Sequence, residues 1–136
     1  MRLKSQVSLE YLLIMGFVVI MTVPLIVLYY SYTLNSRDEI ITSQVNQIAT
    51  EIVDAAESVY FLGEPSQTTI KVYMPNQIVS ASLDNKEIQF NVSTKSGVSE
   101  IVQVSSVQLN GSLPKEQGIY TLTIRANETR VDIFYK

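Results

Sequence analysis

The chain lacks cysteine, histidine and tryptophan, and its 136 residues include only five glycines and four prolines. Without Cys, no disulfide can hold the fold and no thiol can act as a nucleophile. Without His, the chain lacks the commonest metal ligand and the most frequent general base. A net charge of −3 gives no basic footprint for nucleic acid. Composition therefore argues against a zinc protein, a triad-type enzyme and a nucleic-acid-binding protein, and no cofactor is expected.

Charge is also missing from a long stretch near the start of the chain. Residues 11–36 contain no Asp, Glu, Lys or Arg, and residues 11–30 are strongly apolar. A helix of about 20 residues spans about 30 Å, the thickness of a bilayer's hydrocarbon core. Arg2 and Lys4 precede the run, so the N-terminus is expected on the cytoplasmic side. A secretory signal peptide is the competing interpretation, but its apolar core is usually shorter, about 7–15 residues.

A single carboxylate, Glu10, lies at the edge of this apolar run. A charged side chain inside a membrane segment costs about 2.5–3.5 kcal/mol on insertion scales, so such a residue is a functional candidate by default. Glu10 is therefore the residue of this segment that most needs an explanation.

A helical repeat continues beyond the apolar run. Apolar residues recur at spacings of three and four: Ile41, Val45, Ile48, Ile52, Ala55, Val59 and Leu62. This period predicts an amphipathic helix that continues the first one as far as Leu62, where Gly63 and Pro65 end it. Its apolar face needs a partner surface, and we expect the chain's own globular domain to provide it. Asp38 and Glu39 are interpreted as part of a solvated helix face.

The apolar period changes to two after Gly63, which predicts β-strands. Candidate strands are residues 69–74, 78–83, 88–92, 98–107, 119–126 and 130–135, with turns at Asp84-Asn85-Lys86 and Asn110-Gly111. We expect about six antiparallel strands packed on the amphipathic part of the helix. The predicted fold class is α+β, with one long N-terminal helix and a C-terminal antiparallel sheet domain.

Three N-x-[ST] triplets lie in the predicted sheet domain, starting at Asn91, Asn110 and Asn127. They are glycosylation acceptors if the domain is outside the cell, which the membrane segment would bring about. The alternative is that they are ordinary turn and strand residues, and both Asn110 and Asn127 suit turns.

The segment Gln6-Val7-Ser8-Leu9-Glu10 followed by Tyr11-Leu12-Leu13-Ile14 resembles the class III signal peptide of archaeal type IV pilin-like proteins, Q-x-S-x-E. The family has Leu where this chain has Ile14. The segments 59–66 and 70–75 also resemble the junction between helix and sheet in such pilins. The motif is specific here because a short basic leader precedes it and an uncharged apolar run follows it.

The resemblance implies a processing step and a division of the chain. A prepilin peptidase would cut between Ser5 and Gln6, and Gln6, Ser8 and Glu10 would form the signal motif. Residues 1–5 would be the leader, 6–33 the transmembrane and filament-core helix, 34–62 the amphipathic helix, and 63–136 the globular sheet domain.

The resemblance also implies an assembly route. The precursor would wait in the membrane, and an assembly platform would then move it into a helical filament of identical subunits outside the cell. In that filament the Gln6 amine of one subunit would pair with Glu10 of a neighbour and set the register.

The function implied is a structural subunit of an adhesive pilus, with no enzymatic activity. Two alternatives stay open. The chain could be a minor pilin or pseudopilin-like component of a filament machine, or a single-pass surface protein whose sheet domain binds a ligand. Glu10 discriminates between the classes, because a simple membrane anchor has no use for a carboxylate.

Overall fold

A computed structural model describes the backbone of residues 3–136 and the side chains of residues 8–33 and 36–136. The first element is a single helix, α1, that runs from Leu3 to Leu62 and continues through Pro24. It ends where Gly63 takes a left-handed conformation, with φ of 80°, and donates its amide to the carbonyl oxygen of Tyr60 at 3.0 Å. Glycine is the usual residue at this position because it has no Cβ to clash. The predicted helix and its end are therefore confirmed.

The chain divides into two compact units, Met1–Arg37 and Asp38–Lys136. The first unit holds the apolar part of α1. The second unit holds the rest of α1 together with the strands, which matches the predicted α+β layout of one long helix and a C-terminal sheet domain packed on its amphipathic part.

Within residues 3–136 the helix is followed by seven strands in two sheets. The strands are β1 (Gln67–Met74), β2 (Ile78–Asp84), β3 (Glu87–Thr94), β4 (Gly97–Val104), β5 (Leu109–Gly111), β6 (Gly118–Ala126) and β7 (Val131–Tyr135). One sheet has the order β1-β6-β7-β5 and the other has the order β2-β3-β4. All neighbouring strands are antiparallel except β5 and β7, which are parallel.

Two strand predictions are wrong in detail. The Asn110-Gly111 pair does not form a turn but lies in β5, a short parallel strand beside β7. The strand expected over residues 98–107 ends at Val104, and the chain then crosses to β5. The expectation of six antiparallel strands therefore missed one strand and its parallel pairing. The turn at Asn85-Lys86 is confirmed, with Asn85 at a φ of 48° as a tight hairpin requires.

Gly111 explains why β5 can lie against β7. Its φ is 130°, and a Cβ built at this position would collide with the backbone carbonyl of Ile133 on β7. Only glycine allows the two backbones to approach this closely. The Asn-Gly pair therefore serves a close strand approach rather than a turn.

The amphipathic part of α1 buries one face in the core of the second unit. The buried helix residues are Val45, Ile48, Ala49, Ile52, Val53, Ala56 and Val59, and they belong to the same cluster as the inward side chains of the strands. The predicted apolar face is thus confirmed over most of its length. Leu62 is the exception, because its side chain is 77% exposed.

Two carboxylates of this helix accept hydrogen bonds from the segments on either side of β4 and hold the helix beside the strand. The amide of Lys95 donates to Asp38 Oδ2 at 3.0 Å, and the amide and hydroxyl of Ser106 both donate to Glu57 Oε1 at 2.8 Å. Lys95 precedes β4 and Ser106 follows it, so the helix from Asp38 to Glu57 runs alongside the strand.

Asp38 is therefore half-buried and accepts a backbone amide, which was not predicted, whereas Glu39 is exposed as expected. The two bonds from Ser106 also affect Glu57, because the amide and then the hydroxyl stabilise its charged form. They hold the pKa of Glu57 below its ordinary value of 4.5.

Candidate functional site

The candidate site is the apolar half of α1, which is exposed over its whole described length. Every side chain of residues 8–32 is exposed, and its apolar members include Leu12 at 72% and Phe17 at 62%. The most apolar window of the helix has a mean hydropathy of 2.7, and none of it is buried. Soluble monomers rarely expose apolar patches of more than a few hundred Å². The helix is long and apolar enough to cross a membrane.

Glu10 lies on this exposed segment and is itself exposed. It shares a helical face with Leu13 and Ile14, which follow it by three and four positions. The next charged residue toward the sheets is Arg37, about 40 Å farther along the helix at 1.5 Å per residue. Arg37 is therefore far outside the reach of Glu10.

The other residues of the predicted motif are described in part. Ser8 is exposed on the same helix. Ser5 and Gln6 lie within the helical backbone, but their side chains fall outside the described residues. The predicted cleavage point and the predicted pairing of Gln6 with Glu10 stay predictions.

The three predicted glycosylation acceptors have different surroundings. Asn91 is half-buried in the middle of β3, and its amide donates to Ser80 Oγ at 2.9 Å. Asn110 is exposed on β5, and its amide donates to Asp132 Oδ1 at 2.8 Å. Asn127 lies in the turn between β6 and β7, where its Oδ1 accepts the amide of Glu128 at 2.9 Å. Asn110 is the most exposed of the three acceptors, since Asn91 and Asn127 are both half-buried.

An open groove of about 900 Å³ runs between α1 and β4. Polar residues such as Glu39, Thr42 and Ser99 line it together with the apolar side chains of Val98 and Val102. Among the described residues, no group of three or more His, Cys, Asp or Glu lies together in a way that could hold a metal ion. The groove therefore presents hydroxyl, carboxylate and apolar groups side by side over a wide surface.

Sequence reasoning missed the roles of Asp38 and Glu57, which fasten the helix to the segments on either side of β4. Each bonds to a partner far along the chain, so no local pattern identifies it. The exposed Phe61 and Leu62 at the end of α1 were also missed, since the period assigned Leu62 to the buried face.

No family model, curated protein or solved structure matches this chain.

Proposed function

We propose that this chain is a structural subunit of an archaeal type IV-like adhesive pilus. It is held in the membrane as a precursor by α1, cut by a prepilin peptidase between Ser5 and Gln6, and passed to an assembly platform. It then polymerises through residues 6–33 into an extracellular helical filament. The observation that carries the proposal is an exposed apolar helix with a single carboxylate, Glu10, near its start.

An apolar helix of this length supports both stages of that route. Before assembly, lipid covers the exposed side chains, because burial of apolar surface away from water is favourable by about 25 cal/mol per Å². After assembly, the same side chains pack against the helices of neighbouring subunits. One surface thus serves as a membrane anchor and as the filament core.

Glu10 has a purpose in the filament that it lacks in a simple anchor. The new amine of Gln6 on one subunit pairs with the Glu10 carboxylate of its neighbour, and this pair fixes the register between helices. Such a pair adds little net stability, because both ions lose their hydration. Removing one partner is costly, at about 3–5 kcal/mol, because it leaves an unpaired charge in an apolar core.

A second candidate is a single-pass surface protein whose globular unit binds a ligand. The groove between α1 and β4 is the observation that favours it. It gives no reason for the position of Glu10 at the start of the apolar run. A minor pilin would share the helix and Glu10 with the main subunit, and its low abundance in the filament would distinguish it.

The direct test is mass spectrometry and N-terminal analysis of material sheared from the surface of the native cell. The proposal expects filaments in which this chain is abundant and begins at Gln6. Mass added at Asn110 or Asn127 would identify these residues as glycosylated. Surface material that retains Met1 and contains no filaments would overturn the proposal.

Replacement of Glu10 with alanine tests the register role. We expect Glu10→Ala to leave leader removal largely intact and to reduce the yield of sheared filaments at least tenfold, in line with the roughly 3–5 kcal/mol cost of an unpaired buried charge. The matched control is Glu39→Ala, which removes an exposed carboxylate from the same helix. Filaments of normal number and length from Glu10→Ala would contradict the role assigned to this residue.

A further inference from the structure

The exposed side of α1 in the second unit has a single sign of charge. From Asp38 to Leu62 the helix carries five carboxylates and no Lys or Arg. Two of the five are bonded to backbone amides beside β4. Glu51 and Asp54, by contrast, are exposed and lie three positions apart on one helical face.

The same helical face ends in exposed apolar side chains. Ser58 follows Asp54 by four positions, and Phe61 and Leu62 come next, 74% and 77% exposed. We call the surface formed by Glu51, Asp54, Ser58, Phe61 and Leu62 the acidic stripe. It places two carboxylates roughly 13 Å along the helix from two apolar side chains.

The outer face of the sheet β1-β6-β7-β5 has the opposite charge. Lys71 on β1 is paired with Thr121 on β6. On the other side of Thr121 lies Lys136, and the backbones of these two residues exchange hydrogen bonds of 3.0 and 3.2 Å. The two lysines thus occupy neighbouring positions on either side of Thr121. Side chains at directly paired positions of neighbouring strands lie on the same face of a sheet.

Apolar side chains adjoin these lysines as well. Tyr73 and Ile119 form the next outward-facing pair along β1 and β6, about 7 Å from the Lys71 row. They are 50% and 74% exposed. We call the surface formed by Lys71, Tyr73, Ile119 and Lys136 the basic face. Asp132, on β7 of the same outer face, already forms an ion pair with Arg130 at 3.2 Å.

The two surfaces are complementary in charge and in the order of their groups. Each presents a pair of like charges followed by two exposed apolar side chains. The spacing between charged and apolar groups is wider on the helix than on the sheet, and the flexible four-carbon stem of lysine spans the difference.

The two surfaces also face different directions. The inner sides of α1 and of the sheet both contribute to one core, so their outer sides point away from it. One copy cannot bring its own acidic stripe onto its own basic face. A contact between two different surfaces of identical subunits is heterologous, and it can continue into an open helical chain.

We propose that the acidic stripe of one subunit docks on the basic face of a second copy of this chain. The contact lies outside the apolar helical core and rests on the proposed function, because it joins globular units that the filament has already brought together. Its charge pairs select the partner surface, and its apolar pairs exclude water between the two faces.

Thiol crosslinking tests the contact directly, because the chain has no cysteine of its own. The full chain with Glu51→Cys and Lys71→Cys is expressed in its native cell, and sheared filaments are treated with a short bismaleimide, whose reach replaces that of the lysine and glutamate side chains, and are analysed on a denaturing gel. The proposal expects a ladder of crosslinked subunits. The matched control is Glu51→Cys with Ser82→Cys, whose second cysteine lies at an exposed position on β2, and it should stay monomeric.

Charge reversal gives an independent readout. Glu51→Lys with Asp54→Lys, and separately Lys71→Glu with Lys136→Glu, should each lower the filament yield at least about tenfold, because like charges facing each other across an interface are strongly repulsive. All four substitutions together should restore the yield, since they exchange the signs of both surfaces.

The outcomes separate this inference from the proposed function. Filaments that form normally but give no ladder, or whose yield does not recover in the fourfold variant, overturn the docking contact and leave the pilin assignment in place. A parent chain that forms no filaments overturns both. A ladder in the test pair, none in the control and recovery on double reversal support the contact.

Discussion

At the scale of single residues, the carboxylates of α1 have three different kinds of surroundings. Glu10 lies on an apolar segment about 40 Å along the helix from Arg37, whereas Asp38 and Glu57 each accept a backbone amide from the segments next to β4. Glu51 and Asp54 remain exposed. The side chains are chemically alike, so their roles follow from what lies opposite each one.

Removal of the Glu57 carboxylate should loosen the helix from the segment after β4. We expect Glu57→Ala to lower the free energy of unfolding of the full chain in detergent by about 0.5–1.5 kcal/mol, because the two hydrogen bonds from the exposed Ser106 are lost and water replaces the acceptor. The control Glu51→Ala should change it by less than about 0.5 kcal/mol, as for other exposed positions. Urea titration followed by tyrosine fluorescence measures both, and equal effects would contradict the assigned bond.

The same bond should make stability depend on pH. The pKa of Glu57 is lowered on folding, so its contribution is present above the ordinary value of 4.5 and is lost as the pH falls through the lower folded value. The difference in stability between the wild type and Glu57→Ala should therefore be largest near neutral pH and should shrink in acid.

At the scale of elements, the helix and most strands could be predicted because their signals are local. The three-four spacing of apolar residues predicts the buried face of α1, and the two-residue period predicts β1, β3 and β6. The strand β5 could not be predicted in this way. It is three residues long and pairs with β7, which lies about twenty residues later, while its Asn-Gly pair is also a common turn sequence.

Two glycines test the close approach of β5 and β7. Gly97 and Gly111 both have a φ of 130°, but only Gly111 faces a backbone atom, the carbonyl of Ile133. We expect Gly97→Ala to cost about 1–3 kcal/mol from backbone strain alone. Gly111→Ala should cost at least about 1–3 kcal/mol more, because the added methyl group must displace β7.

Denaturant unfolding of the two glycine variants in the same detergent measures this difference. Amide hydrogen exchange would also report faster opening of β5 and β7 in Gly111→Ala. If the Gly111 variant is as stable as the Gly97 variant, β7 can shift to accommodate the added methyl group without loss of stability.

At the scale of the whole molecule, the candidate site could be predicted only in its apolar half. The Q-x-S-x-E pattern and the uncharged run that follows it are contiguous, so both are readable in the sequence. The acidic stripe and the basic face are assembled from residues on α1, β1, β6 and beyond β7, and only the strand register brings the basic residues together.

The apolar segment should decide where the full chain is found. We expect the chain to stay in the membrane pellet after an alkaline carbonate wash, and Val19→Lys with Ile20→Lys to release much of it, because each lysine costs about 2.5–3.5 kcal/mol in a membrane helix. The control is Val79→Lys with Val98→Lys, which adds the same charges at exposed strand positions. Release of the control, or retention of the first variant, would contradict membrane insertion through α1.

The two hydrogen bonds that backbone amides on either side of β4 donate to α1 have a mechanical consequence. Asp38 and Glu57 hold the helix at both ends of a strand that runs beside it, and a buried apolar seam lies between them. Tension along the helix therefore acts in shear, and it loads both bonds and the seam at once. Shear distributes force over all of these contacts, whereas peeling from one end would break them one after another.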